Sequence, residues 1–150
     1  MGDLKAVLSA LQGAKGGDRE IDCLIYEWLH PEFTPAMRGT YYGEFTGEYF
    51  HEEEGVFHAP DYTDPVAGPG LCLALVAEKL PEHTYLIGRG KTRPEEPLHG
   101  VFFSPDGSMK AGSEGSDWPV EVEHESLPIC ILTALFSALF ALHEGGPTNG

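Results

Sequence analysis

A short basic segment is the part of this chain best suited to bind an anion. Residues 88–93 read Gly-Arg-Gly-Lys-Thr-Arg, and they gather three of the nine basic residues next to a strand-like stretch. Glycines let backbone amides approach an anion and arginine supplies paired donors, so Arg89, Lys91 and Arg93 are candidate ligands for phosphate or carboxylate. The spacing matches neither the Walker pattern nor Gly-x-Gly-x-x-Gly, and a solvated hairpin tip is the alternative interpretation.

A second segment, residues 32–62, is rich in aromatic side chains and in glycine. Its aromatic members are Phe33, Tyr41, Tyr42, Phe45, Tyr49, Phe50, Phe57 and Tyr62. The segment has no helical period, and residues 40–50 partly alternate, which predicts a hairpin around Gly43 or Gly47. We interpret 32–62 as an insertion that is either a loop folded over the domain or a lid over a ligand pocket. In the second case Tyr41, Tyr42 and Tyr62 are candidates to stack on the ligand.

Metal binding and catalysis have weaker support. His51, with Glu52 to Glu54 and His58, could bind a divalent cation if its loop folded back, but this spacing matches no established site. The chain has no Gly-x-Ser-x-Gly elbow, and its serines and cysteines have no recognisable local context beside a histidine. We therefore predict no catalytic residue, no metal, no cofactor and no enzymatic activity.

The charge of the chain limits its partners. Nine basic residues against 24 acidic ones give a formal net charge of −15 at pH 7. This charge repels a phosphate backbone, so we expect no nucleic-acid polymer as a partner. The three cysteines are widely spaced with no Cys-x-x-Cys, which fits a reducing compartment. Residues 1–12 are amphipathic and do not resemble a secretory signal, so we expect a cytoplasmic protein.

Hydrophobic periodicity predicts four helices and three strands. Leu4, Val7 and Leu11 share one helical face before Gly13, and Asp18 caps a second helix whose apolar stripe ends before Pro31. The other predicted helices are 71–80, which starts after Gly68-Pro69-Gly70, and 127–142; the predicted strands are 83–87, 98–103 and 119–123. Cys23 falls opposite the stripe of the second helix, so it lies either on the surface or under a loop.

The last predicted helix, Leu127 to Leu142, contains no charged residue and follows Ser126 as a possible cap. It is too short to span a bilayer easily and is flanked by glutamates rather than by basic residues, so we expect no membrane partner. A helix that is apolar on all sides needs cover on all sides. It therefore lies in the domain centre or between the sheet and a second copy, and we expect a homo-oligomer through Leu127 to Leu142.

The order of these elements predicts an α+β fold in a single domain, 1–150. We expect a small antiparallel sheet of about three or four strands with helices packed on it, the long aromatic insertion, and a disordered tail at 144–150.

Four groups of residues carry a resemblance to a known family. These groups are Gly17 to Asp22 at a helix start, Tyr62-Thr63, Leu71 to Val76 before Pro81-Glu82, and Ser126-Leu127-Pro128 before an apolar helix. In these features the chain resembles the bacteriophage ABA-sandwich domain family. The resemblance implies a small phage-encoded α/β/α sandwich from a family whose members mostly lack an assigned activity.

Two functions remain open at this stage. The first is a non-catalytic phage accessory protein of the host cytoplasm that sequesters a small anionic ligand, such as a host nucleotide immune signal, with the basic segment on the phosphate and tyrosines on the base. The second is an acidic protein-interaction module that docks on a host or phage protein.

Overall fold

The computed structural model describes residues 4–93, 96–104 and 120–143. Its helices are α1 (Leu4–Gln12), α2 (Arg19–Leu29), α3 (Gly68–Lys79) and α4 (Leu127–His143), with a short 3-10 turn at Pro35–Met37. Its strands are β1 (Arg38–Tyr41), β2 (Glu44–His51), β3 (Gly55–His58), β4 (Thr84–Arg93), β5 (Glu96–Ser104) and β6 (Val120–His124). They form two antiparallel sheets, β1-β2-β3 and β4-β5-β6, here called the N-terminal and C-terminal sheets. The chain is therefore of the α+β class.

Helix α4 is the centre of the main core. It contacts β5 and β6 on one side and α1 and α3 on the others. Its buried apolar residues are Ile129, Cys130, Ile131, Leu132, Ala134, Leu135, Phe136, Ala138 and Leu139. The apolar surface that suggested self-association is thus covered within one chain, and a homo-oligomer through residues 127–142 stays a prediction. No helix in the described parts of the chain combines the length and apolar character needed to cross a bilayer.

Helix α2 begins and ends as the sequence predicts. The Asp18 carboxylate accepts a hydrogen bond from the backbone N–H of Glu20 at 2.8 Å, which caps the helix, and His30 follows its last residue. Ile21 and Ile25 pack into the main core. Cys23, on the opposite side, is fully buried in a second, smaller core. Both faces of α2 are therefore covered.

The second core lies under the N-terminal sheet, within the segment interpreted as an insertion. Its buried members are Cys23, Tyr26, Phe33, Tyr49 and Ala59. The predicted hairpin turns at Tyr42 and Gly43, whose φ angles are 52° and 81°, while Gly47 lies inside β2. The segment thus forms a three-stranded sheet on α2 and not the irregular loop that we expected, because alternate side chains of β2 find a second apolar surface there.

A buried ion pair fixes the N-terminal sheet to α2. The Arg38 guanidinium donates to both carboxylate oxygens of Glu27, at 2.6 and 2.8 Å. The Tyr49 hydroxyl donates to the same carboxylate at 2.6 Å, so three polar groups satisfy one another out of water. The hydrogen bonds that Arg38 donates to Glu27 raise the pKa of Arg38, and burial raises the pKa of Tyr49.

Two predicted boundaries were wrong. Helix α3 begins at Gly68, three residues before the predicted start, because Pro69 occupies the first turn, where no backbone donor is needed. The basic segment is not a loop after a strand: it is the second half of β4, paired with β5 as far as Arg93. Gly88 faces Gly100 across this pair, and the added ladder hydrogen bonds extend the strand through the glycines. The expected disordered tail, 144–150, lies outside the described residues.

Candidate anion site

A cavity of about 290 Å³ lies where the segments that precede three helices meet β5. Gly16, Gly17 and Pro65 line one side, and His99 of β5 lines another. Residues 125–128, which include the first turn of α4, complete the wall. The cavity is large enough for a phosphate with a small attached group.

The segments that lead into α2, α3 and α4 all contribute to the lining of this cavity. Gly17 immediately precedes the α2 cap, Pro65 lies three residues before α3, and Leu127 is the first residue of α4. The N-terminal end of a helix carries a partial positive charge and unpaired N–H groups. Three such ends favour a negatively charged group in a chain that is otherwise strongly acidic.

Close backbone contacts hold the three ends together. The backbone N–H of Asp18 donates to Oγ1 of Thr63 at 2.8 Å, and a Cβ on Gly17 would lie 3.3 Å from the Thr63 carbonyl oxygen. A Cβ on Gly68 would lie 2.4 Å from the Tyr62 carbonyl oxygen and 3.1 Å from Pro128. Glycine at positions 17 and 68 therefore permits the approach of α3 and α4 to the start of α2.

The three helix ends differ in how they are capped. The Asp18 carboxylate caps α2, and Asp64 accepts hydrogen bonds from the N–H groups of Val66 and Ala67, which lower its pKa. Helix α4 is capped by the neutral hydroxyl of Ser126, which accepts from the Ile129 N–H at 3.3 Å. The Asp64 contacts precede α3, whose N-cap Ala67 has no side-chain cap, so a carboxylate caps only α2 among these three helices. The first turn of α4 lines the cavity and has no capping carboxylate, so it favours an anion.

His99 links the cavity to the basic segment. Its Nδ1 lies 3.1 Å from the Glu125 carbonyl oxygen, which can only accept, so Nδ1 is the donor in this contact. In the β4–β5 register, Arg89 is the residue opposite His99. Lys91 and Arg93 lie farther along, opposite Pro97 and Glu96. Arg89 is therefore the member of the basic segment whose backbone lies beside the cavity wall.

The predicted tyrosines lie elsewhere. Tyr41 and Tyr42 are at the turn of the N-terminal sheet, 68% and 88% exposed, and neither lines this cavity. Tyr62 is buried and lines a different cavity, between α2 and α3. The structure does not bring the three tyrosines together with Arg89, and their role in ligand binding stays a prediction.

Sequence reasoning did not select Gly16, Gly17 and His99 as site residues. The Gly-Gly pair directly before a helix cap was a usable signal, because glycines at a helix start are typical of anion-binding loops. His99 had no such signal, because its position depends on the strand register. Glu125, in the same wall, is an acidic neighbour that an anionic ligand has to avoid.

The residues considered for a metal do not converge. Nδ1 of His51 accepts hydrogen bonds from the N–H groups of Glu53 and Glu54, both at 3.2 Å, and its ring packs against Phe33 and Phe57. His58 instead lies 3.5 Å from Glu48. Within residues 4–93, 96–104 and 120–143, no group of three or more donor side chains could hold a metal ion.

Comparison with known proteins identifies no relative. No family model matches the chain, and neither the curated proteins nor the solved structures contain a match. The relation to the phage sandwich family therefore stays a prediction.

Proposed function

We propose that this protein is a non-catalytic binding protein for a small anionic ligand, and that the ligand's phosphate or carboxylate lies in the cavity at the start of α4. The observation that carries the proposal is one cavity lined by the segments that lead into three helices and by His99, the cross-strand neighbour of Arg89. The helix ends supply a fixed positive potential, and Arg89 supplies a charged, two-pronged donor.

The identity of the ligand follows from the resemblance described above. A phage protein with this site would sequester a nucleotide that the host uses as an immune signal, in the host cytoplasm. The proposal includes the α/β/α sandwich of that family. The packing of α4 on β5 and β6, with α1 and α3 beyond it, supports one half of such a sandwich.

Calorimetric titration tests this function. The probes are inorganic phosphate, AMP, 3′,5′-cyclic AMP and a set of cyclic dinucleotides. We expect one of the nucleotides to bind. Arg89→Gln should weaken the affinity for this nucleotide roughly tenfold or more, because it removes a charged hydrogen bond. Arg93→Gln is the matched control, four positions farther along β4, and we expect a change of less than about twofold. Absence of binding by every probe, or equal effects of the two substitutions, would contradict the proposal.

One surface favours a second function, the docking of a protein partner. Four large apolar side chains are exposed on the N-terminal sheet: Tyr41, Tyr42, Phe50 and Val56. Phe50 and Val56 are direct cross-strand partners. The rings of Tyr41 and Tyr42 meet edge to face, with their centroids 4.4 Å apart. Exposed apolar groups gathered in this way are typical of interaction sites.

The charges around these side chains indicate the partner. Glu44 is the cross-strand neighbour of Tyr41, and Glu48 lies on the same face as Phe50, two positions away. The turn at Glu52–Glu54 adds three more acidic residues to the same sheet. An extended basic segment with interspersed apolar residues would complement this surface, since lysine and arginine also bind tyrosine rings.

A pair of peptides tests the docking surface. An alternating Lys/Leu peptide should bind with an affinity that falls as salt rises, and an alternating Glu/Leu peptide should not bind. Tyr42→Ser combined with Phe50→Ser should weaken binding roughly tenfold, as the loss of central aromatic contacts does. Val66→Ser is the matched control, because Val66 is 89% exposed before α3, outside this sheet. Equal binding of both peptides, or equal effects of both sets of substitutions, would reject this function.

A further inference from the structure

A second cavity, of about 240 Å³, opens between the C-terminal end of α2 and α3. Its apolar part is formed by Leu29, Leu71 and Leu75, and Glu78 and Lys79 lie at its rim. Tyr62 lines the cavity although only 7% of its surface is exposed. The anion site described above shares none of these residues.

The hydroxyl of Tyr62 has an unused hydrogen-bonding capacity. Tyr49, which is fully buried, donates to Glu27 and lies 3.2 Å from the Cys23 carbonyl oxygen. No hydrogen bond joins the Tyr62 hydroxyl to any residue that the structure describes, although every fully buried polar side-chain atom in those residues has a partner. The unpaired Tyr62 hydroxyl therefore keeps some access to solvent, and the cavity that Tyr62 lines is where a ligand can offer it a hydrogen bond.

The charge at the rim defines the ligand further. The Lys79 ammonium lies 3.4 Å from the Glu78 carboxylate and 5.5 Å from the centre of the Trp28 ring. The two charges offset each other, so the rim favours neither an anion nor a cation. Burial raises the pKa of Tyr62 to about 12, which keeps its hydroxyl protonated and able to donate at neutral pH.

We propose that this cavity is a binding site for a small, neutral, ring-shaped molecule that carries one hydrogen-bonding group. The ring lies on the three leucines, and its polar group bonds to the Tyr62 hydroxyl. A cavity of this size takes a ligand of about ten non-hydrogen atoms, such as a phenol, an indole or a free heterocyclic base.

Two probes of nearly the same shape separate the hydrogen bond from the apolar contact. Phenol and toluene differ in the group that would meet Tyr62, and their dissociation constants can be measured from NMR shifts of the α2 and α3 amides. We expect the wild-type protein to bind phenol roughly fivefold more tightly than toluene, as one hydrogen bond provides. Tyr62→Phe keeps the ring and should make the two probes equal. Tyr41→Phe, at an exposed tyrosine, should leave the preference for phenol unchanged.

A filling variant tests the location independently. Ala74 lies at the exposed side of the cavity, so Ala74→Trp should abolish the binding of both probes without disturbing the core. Equal binding of the probes by the wild-type protein, a phenol preference that survives Tyr62→Phe, or unchanged binding in Ala74→Trp would overturn the proposal. Nucleotide binding at the α4 site should be the same in Tyr62→Phe as in the wild type, so the two proposals can fail separately.

Discussion

The guanidinium of Arg19 occupies the space that a side chain at Gly47 would require. An ideal Cβ on Gly47 would lie 1.4 Å from Arg19 Nη2. Arg19 uses that position to donate to the carbonyl oxygens of Thr46 and Ala59 while its other nitrogen pairs with Asp22 and Asp61. One arginine at the start of α2 therefore ties the helix to β2 and to the segment that leads into α3.

Gly47→Ala should be among the more damaging single substitutions in the chain. Gly47 has a φ of 88°, which costs about 1 kcal/mol or more for any other residue, and the new methyl group would also displace Arg19. We expect a total loss of roughly 3 kcal/mol in the free energy of unfolding, measured by urea denaturation. Gly43→Ala is the matched control, with a φ of 81° but nothing within 4 Å of its Cβ. Equal losses of stability in the two variants would show that the Arg19 side chain moves aside without a loss of free energy, which would contradict this prediction.

Replacing one partner of the Arg38–Glu27 pair should destabilise the protein more than replacing both partners. Both side chains are about nine-tenths buried, at 8% and 11% exposure. Glu27→Gln leaves Arg38 buried without its counter-charge, so we expect a loss of about 3–5 kcal/mol in the free energy of unfolding. The double variant Glu27→Gln/Arg38→Met should recover part of that loss in the same assay. Glu78→Gln, at an exposed ion pair, is the control and should change the free energy of unfolding by less than about 1 kcal/mol. If the double variant loses as much stability as the two single substitutions added together, Glu27 and Arg38 are not coupled.

The three cysteines should be unreactive while the protein is folded. Cys23, Cys72 and Cys130 are fully buried, and burial raises the pKa of Cys72 to about 12 and of Cys130 to about 11. Since the thiolate is the reactive form, Ellman's reagent at pH 8 should label the native protein slowly, at the rate of unfolding or local opening. All three thiols should react at once in about 6 M guanidinium chloride, because this denaturant unfolds the protein and exposes them. Rapid labelling of one thiol in the native protein would contradict the prediction, because it would show that the reagent reaches this thiol in the folded state.

Stability should fall in alkaline solution. The folded state holds the pKa of Tyr62 at about 12, above the ordinary value of 10, because burial disfavours the tyrosinate. A raised pKa gives stability that is fully present below pH 10 and is lost as the pH rises towards 12. We expect Tyr62 to contribute on the order of 2 kcal/mol of this loss, together with contributions from Tyr49 and Cys72. Urea denaturation at pH 8, 10 and 11 should show a smaller decline for Tyr62→Phe than for the wild type, and parallel declines would contradict the assignment.

The helices were the most predictable part of the fold. Asp18 and Ser126 are caps in the structure as in the sequence pattern, because capping depends only on residues within one turn. Composition predicted that α4 is covered on every side, but it left open whether the cover comes from the domain itself or from a second copy. Caps and apolar composition depend on residues that are close in the sequence, so the sequence pattern predicts them.

The sheets and the cavities were harder to predict because they depend on pairing between distant residues. Residues 32–62 have no helical period and alternate only in part, so the sequence predicts an insertion with a hairpin at 40–50 and not a complete three-stranded sheet. The basic segment is predicted as a loop because glycine is depleted in strands, whereas its place in β4 depends on pairing with the distant residues of β5. Arg89 was selected by charge, whereas His99 and Gly17 join the same site only through tertiary structure.

Helix α2 has no solvent-facing apolar stripe left over, since Ile25 faces one core and Cys23 the other. A shortened chain without residues 32–62 would leave Cys23 and Tyr26 bare, so such a deletion would need hydrophilic replacements on that side of α2 to avoid a new exposed apolar surface.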